Sequence, residues 1–407
     1  MKIIPGGVTA PIGFEAAGIE AGIKYENRKD MAILYSQKPC VAAGVFTSNV
    51  VKAAPVKWDK KLVEESPFVQ ALIVNTGIAN AGTGEEGKAC CEETAKEAAR
   101  LLSLPADAVL VGSTGVIGPL LPMDRIKAGV AKLVKAKTHS PAAGSDAAAA
   151  IMTTDTHPKE FAVETVIGGK TVTVGAISKG SGMIHPNMCT MLSFVATDAA
   201  ISKEALVKLV KEDVRDTYNM ISVDGDTSTN DSFVVLANGM AGNPEILPGT
   251  AEYEAFREAL HLVDEHQAKA LAGDGEGATA LVECLVENAD TKENARILAR
   301  SVISSSLTKA AVFGHDANWG RILCALGYSG ASFDPEKMEL SYEADGKRIL
   351  IYKDGRGTDF DEEEASAILA KPEVRIVADM KSGIESARAW GCDLTYEYVK
   401  INGDYRS

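Results

Sequence analysis

The stretch FAVETVIGGKTVTVGAISKGSGMIHPNMCTMLSFVATD, residues 161–198, decides what kind of sheet this chain builds. Apolar and polar residues alternate on both sides of Gly168 and Gly169, and two such glycines predict a hairpin turn because both can adopt positive φ. A polar, glycine-rich loop runs from Lys179 to Met188, and an apolar strand begins at Thr190. We therefore predict two antiparallel strands, then a loop, then a further strand.

Outward from this stretch, strand and helix patterns alternate along the chain. Short apolar runs predict strands at residues 31–36, 40–49, 69–76, 108–112, 232–238, 277–289, 348–355, 373–380 and 394–401. Helical periodicity covers about 86–102, a segment after Asp124, and about 203–220, 252–272 and 291–306. No repeat or flexible linker interrupts the pattern. The prediction is an α/β chain, with mixed sheets and helical layers and without an evident domain boundary.

Composition excludes several classes of protein. The 407 residues carry a formal net charge of -14, and no Lys/Arg cluster offers a surface for nucleic acid. No run of 18 apolar residues predicts a membrane span. The seven cysteines form no C-x-x-C pair, which favours a reducing compartment over a disulfide framework or a zinc site. The N-terminus has neither a signal-peptide nor a transit-peptide pattern, so we expect a cytoplasmic protein.

The segment GTGEEGKA, residues 82–89, matches two phosphate-loop patterns and supports an alternative function as a nucleotide-binding enzyme through Gly82–Lys88. Three features weaken that alternative. Ala89 stands where a P-loop carries the Mg²⁺-binding hydroxyl, Glu85 and Glu86 would repel phosphate, and the glycines do not follow directly on a strand. The alternative without a nucleotide is an ordinary loop that leads into a helix.

Residues 224–231, DGDTSTND, resemble the start of a calcium loop, but Thr229 occupies the position where an EF-hand needs glycine. The six histidines show no metal-binding spacing. We predict a polar turn at this position, no metal and no cofactor.

Several longer motifs follow one another in a fixed order. Besides KGSGMIHPNMCTMLSF at 179–194, they are GGVTAPIGF at 6–14, VFTSNVVKAAPV at 45–56, GSTGVIG at 112–118, VDGDTSTND at 223–231, GDGEGATAL at 273–281, GHDANWGRI at 314–322 and INGDYRS at 401–407. Together they resemble the ornithine acetyltransferase (glutamate N-acetyltransferase) family of arginine biosynthesis, and the resemblance covers the whole chain.

The resemblance implies a DmpA-like fold with a single intertwined architecture, and a chain that cleaves itself between Cys189 and Thr190. The products would be an α chain, 1–189, and a β chain, 190–407, assembled as an α2β2 heterotetramer. The implied reaction moves an acetyl group from N-acetylornithine to glutamate by a ping-pong mechanism through an acetyl-Thr190 ester. Some members also use acetyl-CoA as the donor, and the sequence leaves open whether this chain does.

The chemistry implied at Thr190 is consistent with the residue itself. Its hydroxyl can attack the preceding carbonyl, and water then cleaves the ester that forms. The new α-amino group, with a pKa of about 7.7–8.0, can act as general base for the hydroxyl of the same residue. Composition alone would make Thr190 an ordinary β-branched residue at the start of a strand.

Further site residues follow from the matching motifs. Thr114 and Gly115 are implied as the oxyanion hole, although STG is also a good turn sequence. The implied substrate-binding residues are Thr153, Lys179, Thr190, Glu276, Asn402 and Ser407. Lys179 could pair with a carboxylate and Glu276 with an ammonium group.

Other interpretations remain open. The chain could be a self-processing aminopeptidase or amidohydrolase on the same scaffold, or a non-catalytic relative that binds metabolites of the pathway. Cys189 stands where alanine is common and is an alternative nucleophile. Ser407 stands where threonine is usual and keeps the hydroxyl.

Overall fold

Two mixed β-sheets organise the residues that the computed structural model describes, which are 1–185 and 191–404. Each sheet belongs to one of two compact units. Within the described residues, unit 1 contains 1–180, 191–215 and 227–267, and unit 2 contains 181–185, 216–226 and 268–404. The sequence predicted no domain boundary. The reason is that no flexible, linker-like stretch marks the points where the chain passes from one unit to the other. Neither unit coincides with the chains 1–189 and 190–407, whose boundary therefore stays a prediction.

Strands and helices follow one another along most of the described chain. The strands are β1 Lys2–Ile4, β2 Phe14–Ile19, β3 Met31–Phe46, β4 Val69–Asn75, β5 Val109–Ser113, β6 Lys159–Ile167, β7 Lys170–Lys179, β8 Leu192–Thr197, β9 Ile221–Ser222, β10 Ser232–Ala237, β11 Leu281–Ala289, β12 Glu339–Ala344, β13 Lys347–Lys353, β14 Arg356–Gly357, β15 Glu373–Asp379 and β16 Glu385–Cys392. The α-helices are α1 Ala54–Glu65, α2 Gly84–Leu102, α3 Met123–Ala136, α4 Pro141–Ala150, α5 Lys203–Asp213, α6 Ala251–Gly273, α7 Lys292–Ser304, α8 Ser306–Phe313, α9 Trp319–Gly327, α10 Glu362–Leu369 and α11 Tyr396–Gly403.

The sheet of unit 1 has nine strands among the described residues, in the order β1-β6-β7-β8-β10-β3-β4-β5, with β2 paired to β3. β6 and β7 form the predicted hairpin, and its turn residues Gly168 and Gly169 have φ values of 54° and 76°. β8 pairs antiparallel with β7 and parallel with β10. The predicted hairpin and the further strand after it are thus confirmed.

Both faces of the β4–β5 part of this sheet are buried. Ile73 and Val111 belong to the apolar cluster that includes α2 and α3. Their neighbours Leu72 and Leu110 belong to a second cluster, which contains Phe194 of β8. Because neither face meets water, these strands are continuous apolar runs and do not alternate.

Helix α2 extends the predicted helix at 86–102 by two residues at its start. Cys91, Ala95 and Ala98 are buried at intervals of three and four residues, the spacing that places side chains on one face of a helix. The helix ends at Ser103, whose φ of 58° is left-handed and whose N–H donates to the Ala99 carbonyl. The buried stripe therefore fixes this helix, and the left-handed residue ends it.

The sheet of unit 2 has seven strands among the described residues, in the order β14-β13-β12-β15-β11-β16-β9. A polar row crosses four of them. Arg375 donates to Glu283 at 2.6 Å and to Glu343 at 2.8 Å, and the Trp390 indole N–H donates to Glu283 at 2.8 Å. These residues are register partners on β12, β15, β11 and β16. The row therefore helps to set the strand register.

Two predicted strands, 31–36 and 40–49, are the two halves of one strand, β3. Its first half pairs with β2 and β4, and its second half pairs with β10. The register of β3 against β4 shifts between Tyr35 and Cys40. The exposed residues 37–39 broke the apolar pattern without breaking the strand.

The strand prediction for residues 394–401 is wrong, because residues 396–403 form α11. The Thr395 hydroxyl donates to the Gly277 carbonyl at 2.7 Å, and a Cβ on Gly277 would lie 2.8 Å from the Cβ of Glu397. The close approach of the chain at Gly277 to Glu397 favours the helix. The sequence had indicated a strand because aromatic and polar residues alternate in this segment.

The predicted helix at 203–220 is also too long. α5 ends at Asp213, and a separate 3₁₀ turn covers Tyr218–Met220. Between them, Asp216 accepts hydrogen bonds from Arg296 at 2.9 and 2.7 Å. This bidentate ion pair holds the chain outside the helix.

Among the described helices, none combines the length and apolar character required to span a bilayer.

Candidate active site

Thr114 and Gly115 follow the carboxyl end of β5, in a segment bound to the loop after β4. The Thr114 N–H donates to the Asn75 carbonyl, and the Val116 N–H donates to the Gly77 carbonyl, both at 3.1 Å. Gly115 has φ of 132°, and a Cβ there would lie 2.3 Å from the carbonyl carbon of Gly77, so the position requires glycine. Among the described residues, the Thr114 hydroxyl has no hydrogen-bond partner, while the backbone of Thr114 forms an isolated antiparallel bridge with Ile78. The hydroxyl is therefore available as a donor beside the backbone of Gly115.

Buried amides hold this segment in place. Asn230 donates to the carbonyl oxygens of Ala79 at 2.6 Å and Ser113 at 2.8 Å, so it joins the two loops. Asn75 accepts from the Ser113 hydroxyl at 2.6 Å and donates to the Ile78 carbonyl at 2.9 Å. A network of satisfied buried hydrogen bonds is rigid, which suits donors that must be oriented before a reaction begins.

Asp155 organises the second group of predicted site residues in unit 1. Its carboxylate accepts from the Lys159 ammonium at 2.7 Å, the Gly180 N–H at 2.6 Å and the Thr153 N–H at 3.0 Å. Burial alone would raise the pKa of Asp155, but the ammonium groups of Lys179 and Lys159 outweigh burial and hold this pKa well below its usual range. The structure thus brings Thr153 and Lys179 to one carboxylate.

Hydrogen bonds at both its carbonyl and its N–H hold the backbone of Thr153. Its carbonyl accepts a hydrogen bond from Arg28 at 2.7 Å, and the same nitrogen donates to the Met152 carbonyl at 2.6 Å. With its N–H on Asp155, the Thr153 backbone has little freedom, while the residue itself is only half-buried. These hydrogen bonds therefore fix the backbone position from which the Thr153 side chain extends.

Lys179 is 7% exposed and also interacts with Asp231, which is 2% exposed. Burial raises the pKa of Asp231 well above its usual range, against opposing hydrogen bonds from Ser228 and Thr47 and the charge of Lys179. Asp231 follows Asn230, which binds the segment of Thr114. One short stretch therefore contacts both groups of predicted residues in unit 1.

In unit 2 the structure pairs two predicted substrate contacts, Glu276 and Asn402. The Asn402 amide donates to Glu276 Oε2 at 2.7 Å and to the Tyr398 carbonyl at 3.0 Å. Glu276 is 6% exposed, and its N–H donates to the Ser181 carbonyl at 2.9 Å. The C-terminal tail is thus docked as far as α11.

The chain just before the predicted cleavage point is also held in unit 2. Asp224 accepts from the N–H groups of Met183 at 2.6 Å and Ile184 at 2.9 Å, and from the Tyr398 hydroxyl at 3.2 Å. His185 Nδ1 lies 2.9 Å from the Ser222 hydroxyl. Burial, helped by the charge of Arg300, lowers the pKa of His185 to about 4, so this imidazole is neutral near pH 7.

Three predicted site residues, Cys189, Thr190 and Ser407, lie outside the described residues. The alternative phosphate loop, Gly82–Lys88, forms the start of α2, and β4 ends well before it. Glu85 and Lys88 lie 3.4 Å apart in an exposed ion pair. The local context is thus a loop that leads into a helix.

Sequence reasoning missed the residues that support the site. Asp155 and Asn230 have no motif signal of their own, because a buried Asp or Asn is recognisable only from its partners. The nearest signal was the polar stretch 224–231, predicted as a turn. Its Asp224 and Asn230 instead hold backbone segments distant in sequence.

Comparison with known proteins gives consistent results. A family model described as the ArgJ family matches residues 15–407. Proteins named "Arginine biosynthesis bifunctional protein ArgJ" from Symbiobacterium thermophilum and Thermotoga neapolitana are 53% and 50% identical to this chain. The alignments cover 100% of both chains in the first case, and 98% of this chain and 99% of the relative in the second. A crystal structure of the protein of that name from Bacillus halodurans matches with a TM-score of 0.50 and 43% identity, over 52% of this chain and 97% of that chain.

Proposed function

The chain belongs to the ArgJ family, and on that premise we propose that it is an ornithine acetyltransferase of arginine biosynthesis. It transfers the acetyl group of N-acetylornithine to glutamate and releases ornithine and N-acetylglutamate. The observation that carries this proposal is the unpartnered hydroxyl of Thr114, on a segment that backbone hydrogen bonds hold to the loop after β4. Acyl transfer needs such donors for the oxyanion of its tetrahedral intermediates.

Thr190 is the proposed nucleophile, first in self-cleavage and then in transfer. Its hydroxyl attacks the Cys189 carbonyl, the peptide bond rearranges to an ester, and water releases the chains 1–189 and 190–407. The freed α-amine then takes the proton from the hydroxyl of Thr190 as this attacks the donor's acetyl group. Ornithine leaves, and the glutamate amine attacks the acetyl ester.

The length of a related solved chain supports cleavage. The Bacillus halodurans chain is covered over 97% of its length by 52% of this chain, as a chain of about half the length would be. The contacts of residues 183–185 add a physical argument. Hydrogen bonds from the N–H groups of Met183 and Ile184 to Asp224 restrain the backbone that leads to the cleavage segment, and such restraint lowers the entropic cost of an intramolecular reaction.

We propose roles for the predicted substrate-binding residues from the charges and hydrogen-bonding groups of their side chains. Lys179 is proposed to bind the α-carboxylate of the substrate, with the Thr153 hydroxyl as a hydrogen-bond partner. Glu276, oriented by Asn402, is proposed to accept hydrogen bonds from a substrate ammonium group. Ser407 is proposed to contribute its hydroxyl. N-acetylornithine and glutamate share the α-carboxylate that Lys179 would bind, and the ammonium group that N-acetylornithine offers to Glu276 is the one on its side chain.

Further properties belong to the same proposal. The relatives are named bifunctional, which supports acetyl-CoA as a second donor. The mature protein is proposed to be an α2β2 heterotetramer of its own two chains and to act in the cytoplasm. The six described cysteines are free thiols. An aminopeptidase function is not favoured, because the relatives at 50% identity and above are named for arginine biosynthesis.

The test combines intact mass with a transfer assay. Mass spectrometry of the purified protein should give two species, split between Cys189 and Thr190, instead of one species of 42.9 kDa. The same sample should form N-acetylglutamate from N-acetylornithine and glutamate. Hydrolysis of N-acetylornithine at a rate independent of glutamate would instead support an amidohydrolase.

Thr114→Ala should lower kcat by about 10²–10³-fold and change KM little, because an oxyanion donor acts in the transition state and not in substrate binding. Steady-state transfer kinetics with N-acetylornithine measure both constants. Thr114→Ser keeps the hydroxyl and should retain most of the activity. A rise in KM at constant kcat would contradict the oxyanion role.

Gly182→Ala should raise KM for N-acetylornithine about tenfold through displacement of Glu276. An added Cβ would lie 2.4 Å from the Glu276 side-chain carboxyl carbon, and this flexible group can move away without unfolding the chain. Gly327→Ala in the same unit is the matched control, because its Cβ meets no atom within 4 Å. Equal effects of both substitutions would exclude a specific role for Glu276.

A further inference from the structure

A cavity of about 600 Å³ in unit 1 is not used by the proposed reaction. We call it the α1–α2 cavity, and its lining comes from residues 50–61 and 82–92. Trp58, Ala54 and Cys91 supply apolar lining, and Val50 and Val51 are exposed beside it, at 93% and 57%. The volume lies in the range of small-molecule sites.

A buried asparagine holds the walls of the α1–α2 cavity together. Asn80 is 0% exposed, and its amide donates to the Gly87 carbonyl in α2 at 2.9 Å. Its carbonyl accepts from the N–H of Ala54, where α1 begins, at 3.2 Å. Its side-chain oxygen accepts from the Thr83 hydroxyl at 2.9 Å. The cavity is therefore formed before any ligand arrives, which lowers the entropic cost of binding.

The charged lining of the α1–α2 cavity is mainly basic. Four lysines line it, at positions 52, 57, 61 and 88, together with Glu85 and Glu92. Both carboxylates already have ion-pair partners, since Glu85 lies 3.4 Å from Lys88 and Glu92 lies 3.3 Å from Lys96. Among the described residues, no acidic group pairs with the other three lysines.

These three lysines line the α1 side of the cavity. Lys57 and Lys61 are four residues apart on α1, so their side chains share a helix face. Lys52 precedes the helix and donates to the Asn49 carbonyl at 2.8 Å. Across the cavity, α2 begins at Gly84 without a side-chain cap, because the Thr83 hydroxyl is used by Asn80. The first-turn N–H groups of α2 add partial positive charge, against which the carboxylates of Glu85 and Glu86 in the same turn act.

We propose that the α1–α2 cavity binds an organic phosphate with an apolar or aromatic part. Lys52, Lys57 and Lys61 hold the phosphates, and Trp58 and Ala54 contact the apolar part. This site differs from a P-loop, because the lysines provide the charge and Ala89 offers no hydroxyl to Mg²⁺. Binding is therefore expected without Mg²⁺, and it does not depend on the proposed acetyl transfer.

Calorimetric titration of the purified enzyme in EDTA, with coenzyme A, ATP and tripolyphosphate as separate probes, tests this site. Coenzyme A or ATP should bind more tightly than tripolyphosphate, which lacks an apolar part, and added salt should weaken binding. Binding of coenzyme A alone, if Lys57→Ala/Lys61→Ala weakens it, would assign the site to a pantetheine-bearing phosphate, whereas coenzyme A that this variant binds equally well belongs to the acetyl-donor site and counts against the proposal. Binding of ATP alone would assign it to a nucleotide, and binding of both would assign it to their common nucleotide part.

The double variant Lys57→Ala/Lys61→Ala should weaken this binding at least about tenfold, because two charge-assisted contacts are lost. Lys60→Ala is the matched control. Lys60 lies on the same helix, outside the cavity lining, 4.0 Å from Glu64. An unchanged rate of transfer from N-acetylornithine shows that the double variant is folded. No binding by any probe, or equal weakening in Lys60→Ala, would overturn the proposal.

Discussion

The Thr190→Ala protein is expected to remain a single chain of 42.9 kDa and to lose acetyl transfer by about 10⁴-fold or more. Both losses have one cause, because the same hydroxyl serves as nucleophile in cleavage and in transfer. Alanine removes that hydroxyl and leaves the backbone intact. Intact mass spectrometry measures the first effect, and a transfer assay measures the second.

Two variants separate Thr190 from its neighbour. Thr190→Ser keeps a hydroxyl and should retain part of both activities. Cys189→Ala should cleave normally, because the attacked group at position 189 is the backbone carbonyl. Cleavage of the Thr190→Ala chain at the same bond would show that Thr190 is not the nucleophile, and loss of cleavage in Cys189→Ala alone would assign that role to Cys189.

Asp155→Asn is expected to lower the free energy of unfolding by about 3–5 kcal/mol, because it removes the charged partner of a buried ion pair. Lys159 has 0% side-chain exposure and lies 2.7 Å from this carboxylate, and Lys179 is 7% exposed. Without the aspartate charge, Lys159 loses the carboxylate of its ion pair, and Lys179 loses one of the two carboxylates with which it interacts. Denaturant unfolding measures the loss, in a Thr190→Ala background if that chain stays intact, so that chain dissociation does not complicate the transition.

Acid should reproduce this loss in the wild type. The folded pKa of Asp155 lies below its unfolded value of about 3.9. The stabilisation is therefore complete above that value and disappears as the pH falls through the folded pKa. Asp155→Asn should remove this part of the pH dependence.

Asp146→Asn is the matched control for Asp155→Asn. Its ion pair with Lys29 is about half exposed, so the loss should be under about 1 kcal/mol. Equal losses in the two variants would contradict the structural role of Asp155.

The parts of the fold that sequence predicted well are those with a strong local pattern. The hairpin around Gly168 and Gly169 needs only alternation and two adjacent glycines. The helix α2 needs only its apolar stripe and a left-handed end at Ser103. In each case the information lies within about twenty residues of sequence.

The predictions that failed concern segments whose structure depends on residues far away in the sequence. Residues 396–403 are helical where Gly277 allows α11 a close approach. α5 ends early because Arg296, far along the chain, holds Asp216. Local alternation cannot contain these contacts.

The sequence by itself determined the family, and with it the prediction that chemistry is centred on Thr190, because long motifs in fixed order are specific without any coordinates. Only the tertiary structure decided how the surrounding groups are held. It paired Glu276 with Asn402, surrounded Asp155 with two lysines, and used Asn230 to join the loops at Ala79 and Ser113. The physical reason is that hydrogen bonds and charges act over a few ångströms in space, and only folding sets those distances for residues far apart in the chain.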